Sequence, residues 1–455
     1  EGDPVLIARL VGRRVTRAAR IVGLALAVLG AVVMPARVGT QPPPPGVDPA
    51  LDAARAVRGE ALEVSVLTFE NGAVLWERFG HNALVVTDTL LGESRAYNWG
   101  VFDFEQPNFL WNFLTGDTRY WLAVYPTRAM LDAYVSEDRT ARRQVLALTP
   151  VQRAALAEYV EWNALEENRY YRYDYYLDNC STRVRDAIDR VLGGALARAF
   201  ADTPATPRTW REETARVTDG DWPPFAGIHV ALGRNADRPL TRWHEGFIPM
   251  QLATHLATVM VPDSAGGERP LVALDTILYR AERAPLPDRA PNRTLAAFGV
   301  GLAVAALVLV LGSARRATNG APALGVRLVV TVWYALAGVL GTLLLLAGTV
   351  TKHAPYMGSN LTLLQVHPVL LVAAIVVLLA GVVSRFARAL GWLSTLIAVA
   401  SGLGLLLQLT VVDQRSWPVL AVTVPVHLAC AFALRPSRGG AAPSASARPA
   451  QARAA

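Results

Sequence analysis

The chain has only two cysteines in 455 residues, and one of them, Cys180, lies within YYRYDYYLDNCSTRVRD, residues 170–186. After it, Val184, Ala187, Ile188, Val191 and Leu192 recur at helical spacing and Gly193-Gly194 stop the run. This predicts an amphipathic helix over 180–192 with Asn179 as its cap. A cysteine in a first helical turn lies at the positive end of the dipole, so a lowered pKa is expected. A thiol nucleophile also needs a base. His81, in FGHNALVV at the mouth of an expected strand, is the candidate, and Asn98, in YNWG on the next expected strand, is placed to fix the imidazole tautomer. Together these residues spell covalent catalysis through sulfur. Plainer roles fit the same residues: a packed core cysteine, a hydrogen-bonded histidine, and an asparagine in an Asn-Gly-like turn.

On the substrate side the expected residues are Asn179, Arg183, Tyr173 and Tyr175. The tyrosines would line an apolar groove and the guanidinium would meet phosphate, although period-two tyrosines also fit a hairpin face or an interfacial belt. Solvated helix charge is the corresponding plain reading of Arg183. Neither HExxH nor a histidine pair at metal spacing is present, so no metal and no cofactor is expected.

The composition sets these residues in a membrane protein. The chain is 52% hydrophobic, and its 44 basic against 37 acidic residues give a net charge of +7. The basic excess collects beside apolar segments, not in a patch shaped for phosphate backbones, so nucleic acid is not an expected partner. Lys352 is the sole lysine. Within residues 1–40, Arg9, Arg13, Arg14, Arg17 and Arg20 precede the apolar run IVGLALAVLGAVVM, the pattern of a signal peptide or amino-terminal anchor. A proline-rich linker is expected over 41–54, a globular domain over 55–282, and a second linker over 283–293. Within the globular domain, LEVSVLTF (62–69), NALVVTD (82–88) and AYNWGVF (96–102) read as strands, and Thr149, Pro150 and Gln152 open a helix with a capping box. Residues 294–434 hold five apolar segments, near 294–312, 328–349, 366–383, 390–412 and 417–434, each about the length needed to cross roughly 30 Å of hydrocarbon. If the globular domain is outside, Arg315, Arg316, Arg327, Arg385, Arg388, Arg435 and Arg438 all fall on the cytoplasmic side. Residues 435–455 read as a low-complexity, disordered cytoplasmic tail.

Taken together, FGHNALVVTD, YNWGVFDF and YYRYDYYLDNCSTRVRDAID resemble the exported amino-terminal domain of the Lnb family, the lyso-form lipoprotein intramolecular transacylases. The resemblance covers roughly 60–280. The order of histidine on a strand followed by Asn-Cys opening a helix is also similar to circularly permuted papain-like enzymes, among them lecithin:retinol acyltransferase. It implies an α+β, permuted papain-like domain outside the cytoplasm, followed by an all-α bundle of about five helices in the bacterial inner membrane. It implies Cys-His acyl transfer, with Cys180 and His81 at the matching positions and no sure match for a third residue. The acyl chain would pass from a lipid ester, on a diacylglyceryl-modified lipoprotein or a phospholipid, to the terminal amine of a lipoprotein through a thioester on Cys180. Two other classes stay open: a cell-wall cysteine amidase or peptidase using the same pair, and a non-enzymatic envelope membrane module.

Overall fold

In the computed structural model, the described residues are 48–201, 204–262, 266–317, 324–380 and 384–435. The expected amino-terminal signal or anchor, half of the proline-rich linker and nearly all of the expected tail lie outside them.

A seven-stranded antiparallel sheet organises the globular domain. Its strands are β1 (Leu62–Phe69), β2 (His81–Asp88), β3 (Glu93–Val101), β4 (Arg119–Pro126), β5 (Ala141–Leu146), β6 (Tyr170–Arg172) and β7 (Val272–Tyr279), in the order β7-β5-β1-β2-β3-β4-β6. Alternation along the central strands gives two cores, because successive side chains point to opposite faces. On one face Val64, Val66, Leu84, Tyr97 and Trp99 pack against Leu156 and Val160 of α4 (Pro150–Ala164) and Val184 and Ile188 of α5 (Cys180–Val191). On the other, Leu67, Phe69, Ala83, Val85 and Ala96 meet Met130, Leu131 and Tyr134 of α3 (Thr127–Ser136). Each fully buried Leu, Ile or Val in these layers contributes about 1.5–3 kcal/mol. This is a sheet-rich α+β domain, as expected.

Local chemistry starts the two helices that matter most. Thr149 accepts from the Gln152 amide while the Gln152 side chain accepts from the Thr149 amide, the expected capping box. Asn179 Oδ1 accepts from the Ser181 and Thr182 amides, both at 2.9 Å, so Cys180 becomes the first residue of α5. One difference lies at the amino-terminal edge. The segment 41–54, read as a linker, ends in helix α1 (Pro49–Glu60), capped by Asp48. Its Arg55 pairs with Glu158 on α4, so the helix packs on the domain instead of leading away from it. Residues 283–293, by contrast, have no regular structure.

Beyond residue 293 come α8 (Thr294–Ala317), α9 (Leu324–Val350), α10 (Val369–Leu379), α11 (Ser384–Thr410) and α12 (Trp417–Ala433), numbered to leave α6 for Trp210–Val217 and α7 for Pro249–Leu256 of the globular domain; α2 is Phe109–Thr115. Four stretches are long and apolar enough to cross a membrane: Thr294–Ser313, Leu324–Val350, Leu361–Leu379 and Ala389–Thr410. The fifth expected segment forms a shorter apolar helix. α12 is apolar but has 17 residues, with Pro425 inside it, and so reaches only about 25 Å. It lies parallel to α8, whose glycines admit its backbone. A Cβ on Gly301 would stand 2.5 Å from Ala421 O, and one on Gly312 would stand 2.7 Å from Ala433 Cβ.

The loops after α9 and α11 dock on the globular domain. Asn360 Nδ2 donates to the carbonyls of Val230 and Ala231, the Gly233 amide donates to Tyr356 O at 2.7 Å, and Arg415 pairs with Glu212 of α6.

Candidate active site

The strand register places the catalytic candidates. Leu84 faces Tyr97 across β2 and β3, and the same register carried to the end of the pair sets His81 across from Gly100. Asn98 is then its diagonal neighbour, within reach of a long side chain. His81 Nε2 lies 2.5 Å from Asn98 Oδ1, so Nε2 carries the proton and donates, and Nδ1 is left as the basic nitrogen. The structure thus brings together the histidine and the asparagine singled out in the sequence.

Cys180 closes the arrangement from the helix side. At Gly100 the backbone has φ +94°, a conformation that suits glycine, in a stretch where the β3–β4 register slips between Asn98 and Val101. A Cβ there would stand 3.3 Å from Cys180 Cβ and 3.8 Å from His81 Cε1, so 3.3 plus 3.8 puts these two atoms at most about 7 Å apart. The space that glycine leaves empty is the space between thiol and imidazole.

Electrostatics depart from the sequence expectation. Burial pushes the Cys180 thiol above its ordinary value and outweighs the opposing pull of the Asn82, Ser181 and Cys180 backbone N-H groups and of Arg139. The helix start acts in the expected direction but loses to desolvation. Burial likewise lowers His81 to about 4, against the hydrogen bond to Asn98, with Arg139 adding to the fall. The resting pair is therefore a neutral thiol beside a neutral imidazole at pH 7. His81 stacks on Tyr134 at 5.7 Å, and the Arg139 guanidinium carbon lies 4.6 Å from the Tyr134 centroid.

A cavity of about 630 Å³ holds this centre, with His81, Asn98, Gly100 and Cys180 on its wall. Tyr120, Tyr173, Tyr175 and Phe102 add aromatic surface, and Lys352 and His353 enter from the loop after α9. Tyr173 stacks on Tyr120 at 4.1 Å. Burial raises Tyr120 to about 12 and holds Tyr173 well above the ordinary phenol value, so both stay neutral. Tyr175 donates to His353 Nδ1 at 3.3 Å while His353 Nε2 donates to Phe113 O at 3.0 Å.

Two of the expected substrate-side residues are committed elsewhere. The Asn179 amide spends Oδ1 on the cap and Nδ2 on the carbonyls of Tyr175 and Phe247, and the residue is buried. It positions Cys180 and has no hydrogen-bonding capacity left for a ligand. Arg183 lies outside the cavity lining, forked onto Asp178 at 2.5 and 2.7 Å and stacked 3.9 Å over the Tyr171 ring. A carboxylate five residues upstream on the same turn satisfies it. Tyr173 and Tyr175 do line the cavity.

Sequence reasoning missed three residues. Asn82, next to His81, donates to Ser181 Oγ at 3.0 Å, and Ser181 donates to Gly246 O, which clamps β2 to the start of α5. Arg139 is buried beneath the histidine and donates to Glu70 O. Tyr171 has a buried hydroxyl with no hydrogen-bond partner among the described residues, 4.0 Å from the place of the missing Gly100 Cβ. The tyrosine-rich stretch flagged Tyr171 only as one ring among five.

Fold and site together define a membrane protein whose sheet-rich α+β domain carries a thiol, imidazole and amide in a cavity that a membrane-side loop helps to wall. Residues 51–214 match the model of a protein family described as the Lnb N-terminal periplasmic domain. That segment of the chain is an Lnb-family domain, in agreement with the resemblance of FGHNALVVTD, YNWGVFDF and YYRYDYYLDNCSTRVRDAID. No curated protein and no solved structure matches the chain.

Proposed function

We propose that this protein is a lipoprotein-modifying, membrane-bound acyltransferase that uses Cys180 and His81. The carrying observation is the opposition of Cys180 and His81 across Gly100 in an aromatic cavity that residues from both halves of the chain enclose. The Lnb-family domain supports lipoprotein modification as the class of function. The order of histidine, asparagine and cysteine on strand, strand and helix supports the permuted papain-like reading of the domain.

In this reading His81 Nδ1 takes the thiol proton as the ester enters, and the sulfur attacks the ester carbonyl. The oxyanion would be met by the backbone N-H groups at Asn82 and Ser181, which hydrogen-bond the sulfur, and by the unpartnered Tyr171 hydroxyl. Collapse of the tetrahedral intermediate breaks the ester C–O bond. The imidazolium proton goes to the departing alkoxide, leaving a thioester and a lyso lipid. The terminal amine of a lipoprotein then attacks the thioester, its proton passes to His81, and the thiolate leaves from an N-acyl product. Asn98 holds the ring so that Nδ1 remains the working nitrogen. With donor and acceptor on one lipoprotein, proximity replaces a second encounter. A cavity lined by tyrosine and phenylalanine keeps water from the thioester, and this apolar lining favours acyl transfer over a wall amidase.

The test is mass spectrometry of lipoprotein amino termini from cells carrying the wild type or Cys180→Ala. N-acylated, lyso-form termini should disappear in the variant. Unchanged termini would rule the acyl-transfer reading out.

A further inference from the structure

Helix α2, FLWNFLT, is out of place on a water-facing surface. Leu110 and Trp111 are each 68% exposed and Leu114 is 54% exposed, on one helical face. Trp76, Phe104 and Phe113 extend this apolar surface. A contiguous patch of this kind marks an interaction site, whereas single exposed apolar residues need no explanation.

Its position identifies the partner. α9 ends at Val350, and two residues later the Lys352 amide donates to Thr115 O at 2.9 Å, at the last residue of α2. Lys352 also pairs with Asp117, and His353 holds Phe113 O. Gly116, with φ +74°, lets the loop come this near, since a Cβ would meet Lys352 Cβ at 3.1 Å. α2 is thus fastened to the end of a membrane-spanning helix, at the depth where headgroups give way to acyl chains. Trp222, 48% exposed and 4.8 Å beneath the Arg293 guanidinium, marks a second point at that depth, one residue before α8 begins. Exposed tryptophans collect at such boundaries.

We propose that the Leu110, Trp111 and Leu114 face of α2 is embedded among the acyl chains of the leaflet nearest the globular domain, and that the cavity takes its lipid from there. A ladder of rings joins the two: Phe113 to Phe109 at 6.3 Å, Phe109 to Phe102 at 6.2 Å, Phe102 to Tyr120 at 4.9 Å, and Tyr120 to Tyr173 beside the thiol. The embedding rests on placement alone. The lipid route built on it rests on the acyltransferase reading.

Nitroxide labels separate the two. The full-length chain, with Cys180→Ser and Cys430→Ala to remove native thiols, is placed in vesicles of phosphatidylethanolamine and phosphatidylglycerol and labelled at a single cysteine introduced by Trp111→Cys, by Leu114→Cys, or by Leu90→Cys. Leu90, 82% exposed, follows the far end of β2, which ends roughly 23 Å from His81. At 111 and 114, collisions with oxygen should exceed collisions with a water-soluble nickel chelate, and at 90 the ratio should reverse. Nickel dominating at 111 or 114, as at 90, overturns the embedding. Leu110→Cys replaces Trp111→Cys if that variant does not fold. Because Cys180 is absent from every sample, the outcome does not depend on the chemistry.

Discussion

The Tyr356 hydroxyl, in the loop after the second membrane helix, donates to both carboxylate oxygens of Asp174, at 2.9 and 3.0 Å. Asp174 also accepts from the Tyr176 and Leu177 amides and so shapes the turn that delivers Asn179 and Cys180. The membrane part therefore helps to hold the turn before Cys180. Tyr356→Phe removes a buried donor to a charged acceptor, which costs about 1.5–3 kcal/mol. A lowered thermal midpoint of the detergent-solubilised chain, with slower Cys180 acylation, is expected; an unchanged midpoint would detach the loop from the turn.

Substitution of His81 tests the base. His81→Ala should reduce turnover by about 10²–10⁴-fold, while Asn98→Ala, which leaves the imidazole present but free to rotate, should cost less. Turnover of both variants is read by lipoprotein mass spectrometry against time. Equal activity in His81→Ala and the wild type would remove the base from the mechanism.

Tyr171→Phe deletes one hydroxyl and no packing. If that hydroxyl meets the oxyanion, kcat falls by up to about 10²–10³-fold while KM and the Cys180 alkylation rate hold. A loss confined to KM would point to substrate packing instead.

Acid should weaken the fold through His81. Its pKa, held down to about 4 by burial, lies below that of the unfolded chain, so unfolding takes up a proton between these values. The contribution is complete above pH 6.5 and is lost as pH falls toward 4, by about 3 kcal/mol. His229, also lowered to about 4 by burial and by Arg211, adds its own share. Thermal midpoints across that window should decline in the wild type and decline by about half as much in His81→Gln.

Alkylation of Cys180 should report the neutral thiol. With its pKa above the ordinary value, the iodoacetamide rate should climb about tenfold per pH unit from 7 to 9. A plateau near neutrality would mean a thiolate already formed.

Much of this was written locally. The Asn179 cap, the helix after it, the capping box at Thr149 and the strands from Leu62 to Val101 follow from signals within a few residues of each element. Because register carries β2 against β3, the pairing of His81 with Asn98 was also within reach. The thiol pKa was not: the dipole acts within one turn, whereas burial comes from the whole fold. The pairing of Arg183 with Asp178 was not legible either, because it forms only once the turn is built. Lys352 and His353 meet Gly116, Phe113 and Tyr175, and nothing near them in the chain announces those partners.

Cavity walls drawn from both ends of the chain have a consequence for biogenesis. When the ribosome has finished the cysteine and its helix, Lys352 and His353 have yet to be made, and the thiol stands in an open cleft. A complete chamber exists only after the first hydrophobic hairpin, α8 with α9, has entered the bilayer and Lys352 and His353 beyond it have reached the cleft.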